Sequence, residues 1–501
     1  MQNPKPDPCT ITSRLEAQLR PCHNHDVQER RTMMRPVISL CILCAACAAT
    51  SGLAAEVIAA GDERPNIVVI LADDLGAKEL ACYGHASHRT PHLDRLAADG
   101  VRFRTGWVTP LCTPTRVQLM TGQYPHHSAF YGMTGLRPPA DSPLNDIGSK
   151  FTFADLVKTK GYATALAGKW QLSGTHPTLI HDCGFDEYRM WAYAHNLPEG
   201  VEHQGAWEQP GKPERYWHPC LVENGRYLPT KPDDYGPDLF ADFLIEFIRR
   251  HQNQPFLAYW PMTLTHGPFY TTPDTTRAVA DRSINSKQNF AANVEYLDKV
   301  VGRFVDAIDE MGLTKKTVIF FVGDNGTGGE GKGTVTELGV RVPFIVRGPG
   351  HIRAGLASEA LASGCDILPT IADLCGAKPP EGHPIDGVSL LPVLRGEVKT
   401  HREWVYSYLE DKRMIRDAHW LLEGNGKLFE CDLDGQMRRA ADPATDSEAA
   451  AAIKRFESIY ATLPGPESMA GKLTPSSREK IGRTATEKAK ANKNRTRKAS
   501  K

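Results

Sequence analysis

Four runs of consecutive apolar residues punctuate the chain, at 66–72, 162–167, 255–260 and 318–322. A run without polar alternation is the pattern of a strand covered on both faces, as in a parallel sheet between helices. Helical periodicity fills the intervals. Residues 90–100 predict a short helix, with Pro91 near its start and Gly100 after its end. Residues 151–160 predict another, closed by Gly161. Over 239–250, Phe240, Phe243, Leu244, Phe247 and Ile248 share one face; Val294, Leu297, Val301, Phe304 and Ile308 do the same ahead of Gly312. From His401 the texture changes to short runs at 404–408, 420–422 and 428–433, then a helix over 449–463. The fold class predicted is α/β: a large mixed, mostly parallel sheet sandwiched by helices, with a smaller C-terminal antiparallel-sheet subdomain. The main domain is placed at 62–400 and the α+β subdomain at 401–465. No internal repeat is present.

Residues 189–237 follow neither period. They are rich in Pro and Gly and carry Trp191, Tyr193, Trp207, Tyr216, Trp217 and Tyr227. The stretch is expected to form long loops over the site, whose rings stack on sugars or pack the loops together.

The N-terminus is read separately. Arg30, Arg31 and Arg35 precede an apolar stretch at 37–49, and Gly52-Leu53-Ala54 offers a small-residue cleavage site. Residues 1–54 are therefore expected to be a leader with a secretory signal peptide, Met33 or Met34 being an alternative start. The stretch is too short and interrupted for a transmembrane span. Export, periplasmic or extracellular, makes disulfides permissible. Of twelve cysteines, five lie in the leader (Cys9, Cys22, Cys41, Cys44, Cys47); Cys183 and Cys220 are a plausible bridge.

Charge changes this picture little. Lys plus Arg and Asp plus Glu both number 59, so no global sign of a nucleic-acid partner exists. The basic, apolar-poor tail at 466–501 is expected to be disordered and solubilising.

The candidate chemistry sits at strand ends. Asp73-Asp74 follow the run at 66–72, and Asp324-Asn325 follow the run at 318–322. In open α/β sheets ligands gather at the carboxyl ends of strands. Adjacent carboxylates there are costly without a cation between them, and these four oxygen-bearing side chains suit Ca²⁺ in preference to Mg²⁺. Lys169 lies beyond the run at 162–167, and His266 precedes Gly267-Pro268. Cys112 stands at a predicted helix start with Pro114 and Arg116 following, where free N–H groups favour an anion. The bland alternatives are a buried cysteine beside a surface arginine, a solvated lysine, and an N-cap aspartate.

The string Cys112-Thr113-Pro114-Thr115-Arg116 through Met120-Thr121-Gly122 resembles the signature of the formylglycine-dependent sulfatases, of the alkaline-phosphatase-like superfamily. Thr115 stands where that family usually has Ser or Ala, and Met120 where Leu is commoner. Gly168-Lys169-Trp170-Gln171-Leu172, Gly184-Phe185-Asp186, Gly331-Lys332-Gly333-Thr334, 337–343, 366–370 and 386–392 are further similar segments, so the resemblance spans 64–435. Leu338 replaces a family Gly, and Gln171 occupies a position commonly held by His.

The resemblance implies that Cys112 is oxidised to Cα-formylglycine by a maturation enzyme. One hydroxyl of the hydrate attacks sulfur, and a covalent sulfo-enzyme forms; the other hydroxyl then loses its proton and sulfate leaves. It implies that Arg116, Lys169, Lys332 and the metal hold the sulfate, and that His266 or Lys332 protonates the leaving alcohol. Gln171 leaves the base of the second step unassigned, with a water, Lys332 or His176 as candidates. The expected substrate is a sulfated glycan or other sulfate ester. The alternatives are a phosphonate or phosphate ester hydrolase of the same superfamily and a non-catalytic binder of sulfated glycans.

Overall fold

The computed structural model describes residues 64–132, 147–172, 179–192, 214–435 and 438–464. The expected leader, the basic tail, His176, Tyr193 and Trp207 lie outside these residues.

The centre of the molecule is β1 (Asn66–Ala72), in which all seven residues are buried. It pairs in parallel with β7 (Phe256–Pro261) on one side and β8 (Thr317–Gly323) on the other. β3 (Ala163–Gly168) continues in parallel beyond β7. Alternate residues of β1 enter different layers. Ile67, Val69 and Leu71 pack with Val117, Leu119 and Met120. Val68, Ile70 and Ala72 pack with Phe240, Leu244, Leu297 and Val301. This is why the run lacks polar alternation: each side chain faces a helix layer, and full burial of each Val, Leu or Ile contributes roughly 1.5–3 kcal/mol.

The sheet has ten strands, in the order β10-β2-β9-β8-β1-β7-β3-β4-β5-β6. Here β2 is Gly100–Trp107, β4 Glu187–Trp191, β5 Leu221–Glu223, β6 Arg226–Leu228, β9 Phe344–Arg347 and β10 Leu356–Ser363. β9 is antiparallel to both β2 and β8, so β2 runs in the same sense as β8. The fold class is as predicted, a mixed and mostly parallel sheet. The second sheet is antiparallel, β11 (Val405–Leu409) to β15 (Arg438–Ala441), with β12 Lys412–Arg416, β13 Trp420–Leu422 and β14 Leu428–Cys431 between them. The helix Ser447–Thr462 packs on it through Ala449, Ala452 and Phe456.

Two expectations change. Within 189–237 the described part is not all loop, because β4, β5 and β6 extend the sheet edge; β4 alternates buried and half-exposed positions, and β6 has no buried residue. Gly100 does follow the end of its helix, as expected, and also opens β2, where a Cβ would come within 2.3 Å of the Val346 carbonyl oxygen. Cys183 and Cys220 are both buried in the apolar layer and are not joined by a disulfide, in place of the plausible bridge. No helix among the described residues is long and apolar enough to cross a membrane.

Candidate active site

Strands β8, β1, β7 and β3 are neighbours with one direction, so their carboxyl ends meet at one edge. Asp324 and Asn325 leave β8, Asp73 and Asp74 leave β1, Lys169 leaves β3, and His266 follows a short loop after β7. Backbone hydrogen bonds stitch these exits together. Asp324 N–H donates to Ala72 O at 2.8 Å, Asp73 N–H to Leu264 O at 2.8 Å, Thr265 N–H to Asp73 O at 2.7 Å, and Lys169 N–H to Pro261 O at 2.7 Å. The last approach requires a glycine before the lysine: Gly168 has φ +126°, and a Cβ there would lie 2.0 Å from Pro261 O.

Cys112 comes from the other side of the sheet. β2 leads into the helix Cys112–Thr121, whose ten residues are all buried. Thr115 fixes the turn before the cysteine, its hydroxyl accepting from Thr109 N–H at 3.1 Å and lying 2.7 Å from the Thr109 hydroxyl. A hydroxyl at position 115 thus matters more than its methyl. The segment before the helix is bonded to the loop that carries Lys332: Gly333 N–H donates to Pro110 O at 2.8 Å, and Val108 N–H to Val340 O at 3.0 Å.

The side chains converge. Lys169 Nζ donates to both oxygens of Asp73, at 2.8 and 2.7 Å. Arg116 donates to Asp324 Oδ2 at 2.7 Å and to Lys169 O at 2.9 Å. Lys332 Nζ donates to Asp74 Oδ1 at 2.6 Å, and Asn325 Nδ2 to the same oxygen at 2.9 Å. Asp74 N–H donates to Asp324 Oδ1 at 2.9 Å; to do so Asp74 adopts φ +59°. His266 Nε2 lies 3.8 Å from Asp74 Oδ2. A sulfur or carboxylate atom from each of Cys112, Asp73 and Asp324 falls within 4.8 Å of the others, as do ligand atoms of Asp73, Asp74 and His266. All nine residues named from the sequence are brought to one place.

Burial and charge set the ionisation. Burial opposes the charge of Asp73, yet Lys169, His266, Arg116 and Lys332 outweigh it and hold the carboxyl well below the usual range. Burial and the neighbouring Asp73 push Asp324 up to about 7, against Arg116 and Lys169. Lys332 is held charged above the usual lysine range, because Asp74 and Asp73 overcome its burial. Burial, with the charges of Lys169 and Arg215, pushes His266 down to about 4 against the pull of Asp73 and Asp74. Its Nδ1 lies 2.6 Å from Gly267 O. A neutral ring donates through Nδ1 there and leaves Nε2 as an acceptor.

The cluster fits a hard divalent cation. Three carboxylates, exposed by 4% or less, crowd together, and Asn325 Oδ1 is buried without a hydrogen-bond partner. An uncompensated buried acceptor and a carboxylate forced up in pKa are both relieved by an oxygen-liganded ion.

Three residues named from the sequence have positions that it left open. Tyr216, read as a loop ring, is fully buried; its hydroxyl donates towards Thr263 O at 2.8 Å and also contacts His266 O, so it holds the loop that carries the histidine. Trp217 likewise packs loops, donating from Nε1 to Thr271 O at 2.8 Å beneath Arg282. No periodic signal distinguishes such rings from sugar platforms. Gln171 has φ +53° and a buried Oε1 without a partner.

Comparison with known proteins agrees with this geometry. The family model described as Sulfatase matches residues 65–377, and the model described as N-sulphoglucosamine sulphohydrolase, C-terminal, matches residues 331–432. Human arylsulfatase A is 34% identical over 421 residues, covering 76% of this chain and 78% of its own. N-acetylgalactosamine-6-sulfatase of Rattus norvegicus is 33% identical over 374 residues, covering 68% of each chain. The crystal structure of Ps i-CgsB in complex with k-i-k-neocarrahexaose superposes with a TM-score of 0.62 at 25% identity, covering 76% of this chain and 86% of that one. The chain therefore belongs to the sulfatase family and is a sulfuric ester hydrolase.

Proposed function

We propose that this sulfatase acts on sulfated carbohydrates after export, with Cys112, oxidised to Cα-formylglycine, as its nucleophile. The observation that carries the reading is the place of Cys112: first residue of a buried helix, beside Asp73 and Asp324, within a shell of Arg116, Lys169 and Lys332. The hydrated aldehyde would supply two geminal hydroxyls, one to attack sulfur and one whose lost proton expels sulfate. Asp73, Asp74, Asp324 and Asn325 would hold the cation, calcium in preference to magnesium, which would add positive charge beside the sulfate oxygens.

The chain's own side chains divide the remaining work. Arg116 is spanned between Asp324 and Lys169 O, so its guanidinium keeps one orientation. Lys169 and Lys332 are ammonium groups already anchored on carboxylates, so binding an anion between them costs little reorganisation. Lys332 is the charged donor facing the leaving oxygen. His266, neutral near pH 7, offers Nε2 as a hydrogen-bond acceptor that orients the leaving group. Gln171 can hydrogen-bond a geminal hydroxyl but cannot titrate near neutrality. A water takes that proton, or Lys332 does so once it has given its own proton to the leaving alcohol.

The carbohydrate reading is supported by relatives whose names or bound ligand specify sugars, and export by the apolar N-terminal stretch. The test is a sulfate-release screen over sulfated oligosaccharides, with protein co-expressed with a maturation enzyme. Release from one sugar class is expected; faster turnover of matched phosphonate esters would overturn the proposal.

A further inference from the structure

We propose that His126, His127 and Asp386 form a second metal site, separate from the acidic cluster and selective for Zn²⁺-class ions. The three residues sit at the far end of the helix that Cys112 begins. Gly122 caps that helix with φ +68°, and the one-turn helix Pro125–Ser128 follows. His127 Nδ1 lies 2.9 and 3.0 Å from the two oxygens of Asp386, and His126 Nε2 lies 3.5 Å from Oδ1. One ligand atom from each residue falls within 4.8 Å of the other two. A tetrahedron with bonds of about 2.0–2.1 Å has edges of about 3.4 Å, so small side-chain rotations would seat an ion.

The carboxylate is held in place before any ion arrives. Tyr124 N–H donates to Asp386 Oδ2 at 2.6 Å, and Asp386 N–H donates to Gly122 O at 2.9 Å. Gln123 Nε2 donates to Pro384 O at 3.0 Å, which ties the same loop to the helix end. Among the described residues the ion-pair partners of Asp386 are these two histidines, with no lysine or arginine. A carboxylate between two imidazoles, one ring of which is exposed, therefore lacks a fixed positive charge. Two nitrogens and one oxygen are the donor set of zinc rather than calcium or magnesium. Asp73, Asp74, Asp324 and Asn325 offer the opposite set, oxygens from each of four side chains beside two lysines, although the Cys112 sulfur and His266 lie close to them. Binding would displace the shared proton from His127 Nδ1, leave a fourth position to water, and staple the 383–387 loop to the helix.

The experiment uses tag-free protein saturated with Ca²⁺. Zn²⁺ is titrated against a chromogenic chelator, and Co²⁺ is added separately as a spectroscopic probe. One Zn²⁺ per chain and the intense visible absorption of tetrahedral cobalt are expected. His127→Ala, an exposed position, should weaken uptake by about tenfold or more, and His126→Gln should do likewise. Asp324→Ala should leave zinc uptake intact. No uptake by the wild type, or equal uptake by His127→Ala and His126→Gln, would overturn the proposal, as would loss of uptake in Asp324→Ala.

Discussion

Arg116 and Asp324 meet at 2.7 Å with neither side chain exposed to solvent. They are 208 residues apart in sequence, one on the helix that Cys112 begins and one at the exit of β8. Removing Arg116 would take from Asp324 its nearest cation and from Asp73, 3.6 Å away, a second one. Arg116→Ala should lose about 3–5 kcal/mol of stability and be inactive. Arg116→Lys keeps the charge but cannot reach both Asp324 and Lys169 O; its kcat should fall about 10²–10³-fold. Chemical denaturation and sulfate release on the two variants check this. Arg116→Ala with unchanged stability would show that the pair holds nothing together.

The folded-state pKa of Asp324, raised to about 7, has a defined sign. The metal-free fold binds this proton more tightly than the unfolded chain does. The resulting stabilisation is fully present below about 3.8 and is lost as pH rises through about 7. Calcium must displace the same proton, so its affinity should fall with decreasing pH, by up to about tenfold per unit. The calcium-induced rise in Tm should therefore be larger at pH 8 than at pH 5. In Asp324→Asn it should be small at both. Scanning calorimetry with calcium and with chelator measures it; a larger rise at pH 5 would contradict the assignment.

Gly168 is the one residue type that lets Lys169 follow β3 so closely past Pro261. Gly168→Ala should lose roughly 1–3 kcal/mol from strained backbone alone. It should also lower kcat more than it raises KM, because the Lys169 ammonium is displaced rather than deleted. A variant with wild-type Tm and kcat would show that the contact relaxes freely.

In the proposed mechanism, Gln171 predicts a slow second step. Positioned proton transfer contributes about 10²–10⁴-fold, and glutamine supplies none. Expulsion of sulfate should limit turnover, giving a burst of desulfated product in rapid-mixing experiments. Gln171→His should shrink the burst and raise kcat. The left-handed backbone and unpartnered amide oxygen of Gln171 allow the other outcome: no burst, and a variant that only loses activity, would make the residue a substrate contact.

The strands most legible in the sequence were those buried on both faces. Val68 and Val69 face opposite layers, and both had to be apolar. β4 to β6 were hidden because edge strands keep polar residues such as Arg189 and Glu223, which pair with each other across the edge. The acids were legible because Asp73-Asp74 and Asp324-Asn325 each end an apolar run. Their partners were not, since a contact such as Lys332 with Asp74 spans 258 residues and is made by a loop with no period. The Cys183–Cys220 expectation failed for a related reason: spacing cannot tell two thiols packed in one apolar layer from a bridge.

The proposed function turns on position 112 being an aldehyde whose hydrate is the nucleophile. The measurement is peptide mass spectrometry across residue 112, on protein fractionated by sulfatase activity after co-expression with a maturation enzyme. Specific activity should rise in proportion to the fraction of Cα-formylglycine at position 112 and vanish in Cys112→Ala. Full activity in fractions that hold only the unmodified Cys112 thiol would contradict the account.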